Sequence, residues 1–146
     1  MVKQYLILSS VFLWAGCILA ISFMESWIKF KAPGVTIPIG LGIGKLVFGA
    51  LNKIEWIFVF IIAISILLNF KLSFAAANIL LGLCVTVLAL ETFWLLPILD
   101  VRASEVISGK LLPPSTLHWY FVGAEVIKLF SLILLGYLFL RNFLIK

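Results

Sequence analysis

Leu117 to Leu140 reads LHWYFVGAEVIKLFSLILLGYLFL. About 20 apolar residues suffice for a helix to cross a bilayer core of roughly 30 Å, so this stretch is a transmembrane span. Its charged or readily charged side chains are His118, Glu125 and Lys128. On a helix, His118, Phe121 or Val122, Glu125, Lys128 and Leu132 follow the spacing of one face. At about 1.5 Å per residue, Glu125 lies roughly 10 Å and Lys128 roughly 15 Å beyond His118, which takes Lys128 near the midplane. A charge at that depth is costly unless paired or hydrated, so both must face the bundle interior or a wet cleft. They can pair with each other at i,i+3, or Lys128 can reach a carboxylate on a neighbouring helix.

Working outward, three more uncharged or nearly uncharged runs qualify as spans: Tyr5 to Met24, Ile54 to Phe70 and Leu72 to about Leu96. The 146 residues are 64% hydrophobic and 12% charged, against roughly 45–50% and about 25% in soluble domains. The expected fold is an all-α integral membrane protein, with four transmembrane helices in one antiparallel bundle over residues 1–146. Lys3 and the following apolar run resemble a secretory leader but are too long for one, and Trp14 to Cys17 make a poor lipoprotein cleavage site, so the run reads as a retained span. The net charge of +5 lies largely at the ends and flanks of spans, where anionic headgroups account for it. Lipid is therefore the expected partner and nucleic acid is not.

Two longer connections are expected. In residues 27–53, Trp27, Lys29, Phe30 and Lys31 suit the headgroup zone, and Ala32, Pro33 and Gly34 stop a helix. Ile39 to Lys53 holds Gly40, Gly42, Gly44 and Gly49 with Lys45 and Lys53, which reads as a short interfacial or re-entrant segment between the first two spans. Gly42 to Leu46 lacks the spacing and the following Ser or Thr of a phosphate loop. Residues 97–116 read as a charged loop: Pro97 closes the third helix, Asp100, Arg102, Glu105 and Lys110 follow, and Ser115 or Thr116 caps the fourth. The second and third spans meet at a turn over Asn69 to Lys71.

Both termini share a side with that turn. Lys and Arg number 4 there (Lys3, Lys71, Arg141, Lys146) and 6 on the loop side (Lys29, Lys31, Lys45, Lys53, Arg102, Lys110), a count that does not itself orient the bundle. The orientation adopted is cytoplasmic termini in a plasma or inner membrane.

Polar residues cluster toward the loop side. Glu25 ends the first helix, Glu55 opens the second, Glu91 lies near the end of the third and His118 opens the fourth, so alternating helix directions gather them. His118 is the single histidine and the group suited to proton exchange near neutrality, with Glu125 or Glu91 as its orienting carboxylate. These three are the catalytic candidates. Ligand-binding candidates are Lys128, Glu125, His118, Glu25, Arg102, the mid-span Asn78, and Trp94 and Trp119 at a lipid-facing entrance. A di-iron bundle would need Glu-x-x-His on two helices, which is absent, and no metal site is assigned. Cys17 and Cys84 lack a redox spacing and read as packing residues at similar depth. Which cofactor the chain holds, if any, is left open by these residues.

The resulting expectation is a small carrier or transport component with a polar intramembrane cavity for an amphiphile or ion. Four spans make a thin wall, so a homo-oligomer or larger membrane complex is expected. One alternative is an accessory or assembly subunit, in which Glu125 and Lys128 contact protein. Another is an intramembrane enzyme on a lipid or quinone, with His118 as base and Lys128 or Arg102 holding an anionic headgroup.

Overall fold

The computed structural model describes residues 2–68 and 75–144, and shows an all-α bundle with four helices long and apolar enough to cross a membrane. The expected Asn69–Lys71 turn and the side chains of Lys3 and Lys146 lie outside the described residues. Helix α1 starts with Val2–Ile18 and continues through a π-helical stretch, Leu19–Glu25, a turn at Ser26–Ile28 and a 3-10 turn at Lys29–Lys31. Helix α2 is Ile37–Leu67. Helix α3 combines Ala75–Leu90, a second π-helical stretch at Glu91–Leu95, and Leu96–Ile107. Helix α4 is Leu117–Leu144.

Two expectations about connections are corrected. The glycine-bearing stretch 39–53 is not a separate element, because it forms the first half of α2 without a break. Pro38 sits in the first turn, where a missing N–H costs nothing, and the adjoining Gly40 N–H is satisfied by the Thr36 carbonyl at 2.8 Å. In apolar surroundings an unpaired backbone is more costly than a glycine in a helix, so the helix persists through all four glycines. Gly40 and Gly44 are buried against the end of α1: a Cβ on Gly40 would overlap the Phe30 ring, and one on Gly44 would meet Lys29 Nζ at 2.8 Å.

Nor does Pro97 end the third helix, so the charged loop expected over 97–116 is helical as far as Ile107. Proline removes an N–H and crowds the carbonyl four residues back. The wider π-helical turn immediately before Pro97 accommodates that loss, and the helix continues. The stop comes instead at Gly109, with φ +88°, where the Lys110 N–H reaches the Glu105 carbonyl at 3.0 Å. At the start of α4 the Ser115 hydroxyl accepts the Leu117 N–H at 3.2 Å, the cap expected there.

The core joins one stripe from each helix. On α1 the stripe is Ile7, Val11, Trp14 and Ile18, and on α4 it is Phe121, Glu125, Lys128, Leu132, Leu135 and Phe139, both at three- and four-residue steps. Helix α1 packs against α2 and α4, the first half of α3 packs against α4, and its second half packs against α2. The outward faces carry large apolar side chains, among them Leu46, Phe60, Ile79, Phe93, Phe130 and Tyr137. Hydroxyls inside the helices are mostly satisfied locally, as where Ser10 donates to the Leu6 carbonyl and Ser65 to the Ile61 carbonyl.

Candidate functional site: a buried carboxylate–lysine cluster

Lys128 is fully enclosed, at 0% exposure, and three carboxylates surround its ammonium. It donates to Glu55 Oε1 at 2.6 Å and to Glu91 Oε2, and lies 3.4 Å from Glu125 Oε1, one turn back on its own helix. Each glutamate is 1% exposed. Trp14 of α1 donates its indole N–H to the same Glu55 Oε1 at 2.8 Å. The three carboxylates bring oxygens within 4.8 Å of one another, and the cation they hold is the ammonium itself.

Position along each helix explains the meeting. Because α2 starts at Ile37 and α3 runs to Ile107, Glu55 and Glu91 lie near the middles of their helices, not at the loop-side ends expected from shorter spans. The π-helical stretch of α3 starts at Glu91, and that of α1 contains the buried Ser22. The Ser22 hydroxyl stands near the Glu125 carboxyl without reaching hydrogen-bond geometry. Beside the cluster, Thr92 donates to the Leu88 carbonyl and accepts from Asn52 Nδ2 and Trp56 Nε1, both at 2.9 Å, which links α2 to α3 at this level.

Satisfaction within the cluster is uneven. Glu55 Oε1 accepts two hydrogen bonds, Glu91 Oε2 accepts one, and Glu91 Oε1 and both Glu125 oxygens are buried and accept none.

Of the residues singled out in the sequence, Glu91, Glu125 and Lys128 therefore come together, while the others do not join them. His118 is exposed one turn before Phe121, with its ring 6.1 Å from that of Trp119, and no hydrogen bond is seen from it to Glu91 or Glu125 among the described residues. Glu25 pairs with Lys29 at 3.2 Å. Arg102 donates to the Pro113 carbonyl at 2.7 Å, tying the α3–α4 connection. Asn78, Trp94 and Trp119 face outward. Cys17 is half-buried and Cys84 buried, and both are free thiols.

Trp14 is a participant that the sequence did not single out, and Glu55, placed there at the loop-side opening of the second span, was not among the site candidates. Leu51, Glu55 and Ile62 share a buried stripe with Gly40 and Gly44, a pattern visible only if 37–67 is taken as one helix. Trp14 lies on the Ile7, Val11, Ile18 stripe, which marks its indole as an inward donor.

His118 lines a separate cavity of about 150 Å³ with Lys29, Lys45, Asp100, Phe30, Phe48 and Phe121. Lys29 Nζ lies 5.3 Å from the Phe48 ring centre, and Lys45 donates to the Ser104 hydroxyl at 2.9 Å. None of the four cluster residues lines it. No protein-family model, curated protein or solved structure matches this chain.

Proposed function

We propose that this chain is an accessory or assembly subunit of a larger membrane complex, with the carboxylate–lysine cluster as the internal clamp that holds its four helices in one arrangement. The observation that carries this reading is the complete enclosure of Lys128, Glu55, Glu91 and Glu125 by protein. A carrier needs a wet route to its intramembrane charges, whereas here the ammonium is spent on three carboxylates of the same chain. The broad apolar outer faces supply surface for lipid and for neighbouring proteins. The antiparallel order of the helices is part of the proposal. It is supported by Phe30 against Gly40 with Trp14 bonded to Glu55, and by Lys45 bonded to Ser104 with Asn52 bonded to Thr92. We place the chain in a plasma or inner membrane with its termini toward the cytoplasm.

A second reading, binding or transport of an amphiphile, is favoured by the cavity beside His118, where Lys29 and Lys45 border aromatic walls. Native mass spectrometry on the protein extracted gently from its own membrane separates the two. A complex with other chains is the expected result. A lone chain that keeps a stoichiometric amphiphile would overturn the subunit reading and favour the cavity.

A further inference from the structure

The cluster holds three carboxylates and one ammonium, so with every group ionised it would carry a formal charge of −2 in the middle of an apolar bundle. Among the described residues no further cation reaches it. On α1 its neighbours are Trp14, Ser22 and the Cys17 thiol; on α2, Glu55 itself, with Lys53 exposed; on α3, Glu91 and the Cys84 thiol; and on α4, Glu125, Lys128 and Ser131. Glu25 is matched by its own partner, Lys29. Uncompensated charge of this size is not sustained in a low-dielectric interior, where an ionisable group neutralises itself instead.

The hydrogen bonds indicate which groups do so. Glu55 has two donors, the ammonium and the Trp14 indole, and is the best-solvated carboxylate. Neither Glu125 oxygen accepts a hydrogen bond, the ammonium lying 3.4 Å from Oε1, and Glu91 accepts at Oε2 alone, so both are less supported as anions than Glu55. The Ser22 hydroxyl, 8% exposed and without a hydrogen-bond partner, stands near Glu125 and offers an acceptor for an acid O–H. We propose that the cluster is a proton-binding site that holds two protons, one on Glu125 and one on Glu91, leaving Lys128 and Glu55 as its ionised pair. The site is then neutral: two acids, one carboxylate and one ammonium. This holds whether or not the chain belongs to a larger assembly.

The test is carbon-13 NMR of the full chain in lipid bilayers at neutral pH, with the glutamates labelled. The chain has only five, Glu25, Glu55, Glu91, Glu105 and Glu125, and each Cδ signal is assigned by its loss in a Glu→Gln variant. Two Cδ signals in the protonated range are expected, one missing in Glu91→Gln and the other in Glu125→Gln. Glutamine resembles the protonated acid in shape and charge, so these variants are expected to keep the fold. Lys128→Met should add a third protonated signal, from Glu55, and if that variant does not fold, the wild-type spectrum still decides. Five ionised glutamates would overturn the proposal, as would one equivalent of divalent metal per chain found by elemental analysis of the same sample.

Discussion

At Lys128 the consequence of removing a group depends on what is left behind. Truncation to alanine deletes the ammonium that three buried carboxylates share. Breaking a buried ion pair by removing one partner costs about 3–5 kcal/mol, and Lys128→Ala is expected to lower stability by that amount in denaturant titration of the detergent-solubilised protein. Glu125→Gln is expected to stay within about 1 kcal/mol of wild type, because Glu125 accepts no hydrogen bond and its contact with the ammonium, at 3.4 Å, is the longest of the three. Trp14→Phe keeps an aromatic ring but removes, at a fully buried position, the pyrrole ring with the N–H that supports Glu55 at 2.8 Å. A hydrogen bond to a charged group contributes about 1.5–3 kcal/mol, and the vacated volume adds to that, so this variant should cost clearly more than Glu125→Gln. Equal effects from all three would show that packing, not charge, governs the site.

At the scale of the helices, α2 is informative because its glycines differ in what they touch. A methyl group at Gly40 overlaps the Phe30 ring, whereas one at Gly42 finds its nearest neighbour at 3.9 Å, an ordinary contact. Gly40→Ala is expected to destabilise by about 1–3 kcal/mol through overpacking. Gly42→Ala should be neutral or stabilise by up to about 1 kcal/mol through helix propensity. Thermal unfolding of the two variants checks the contrast, and Phe30→Ala should relieve much of the Gly40→Ala cost if the ring is its cause. The same helix shows where sequence reasoning stops. The inward facing of Glu125 and Lys128 was legible because α4 is an uninterrupted apolar run with a clear face. The location of Glu55 was not, because glycines and Pro38 count against a helix in water while an apolar environment overrides that preference. Pro97 misled in the same way: its cost is absorbed by the π-helical turn at Glu91–Leu95, a backbone adjustment with no residue signature of its own.

Across the whole molecule, the charged cluster joins the two halves of the chain. Trp14, Ser22 and Glu55 come from the first two helices, and Glu91, Glu125 and Lys128 from the last two. Helices already inserted in a membrane gain little from the hydrophobic effect on meeting one another, so packing and polar contacts must supply much of the association. A chain divided between Leu68 and Ala75 would place Glu55 in one fragment and its ammonium partner in the other. Co-expressed fragments are expected to associate in the membrane, with Trp14 and Ile18 packed against the second fragment's core. Lys128→Ala in the second fragment should weaken that association by tenfold or more, because about 1.4 kcal/mol is a factor of 10 and a buried pair contributes more than that on removal of one partner. Glu125→Gln should leave it within a few-fold, since Glu125 and Lys128 belong to the same fragment and their contact survives division of the chain. Resonance energy transfer between labelled fragments in bilayers measures both changes. If Lys128→Ala associated as strongly as wild type, the apolar stripes alone would hold the bundle and the cluster could not be its clamp.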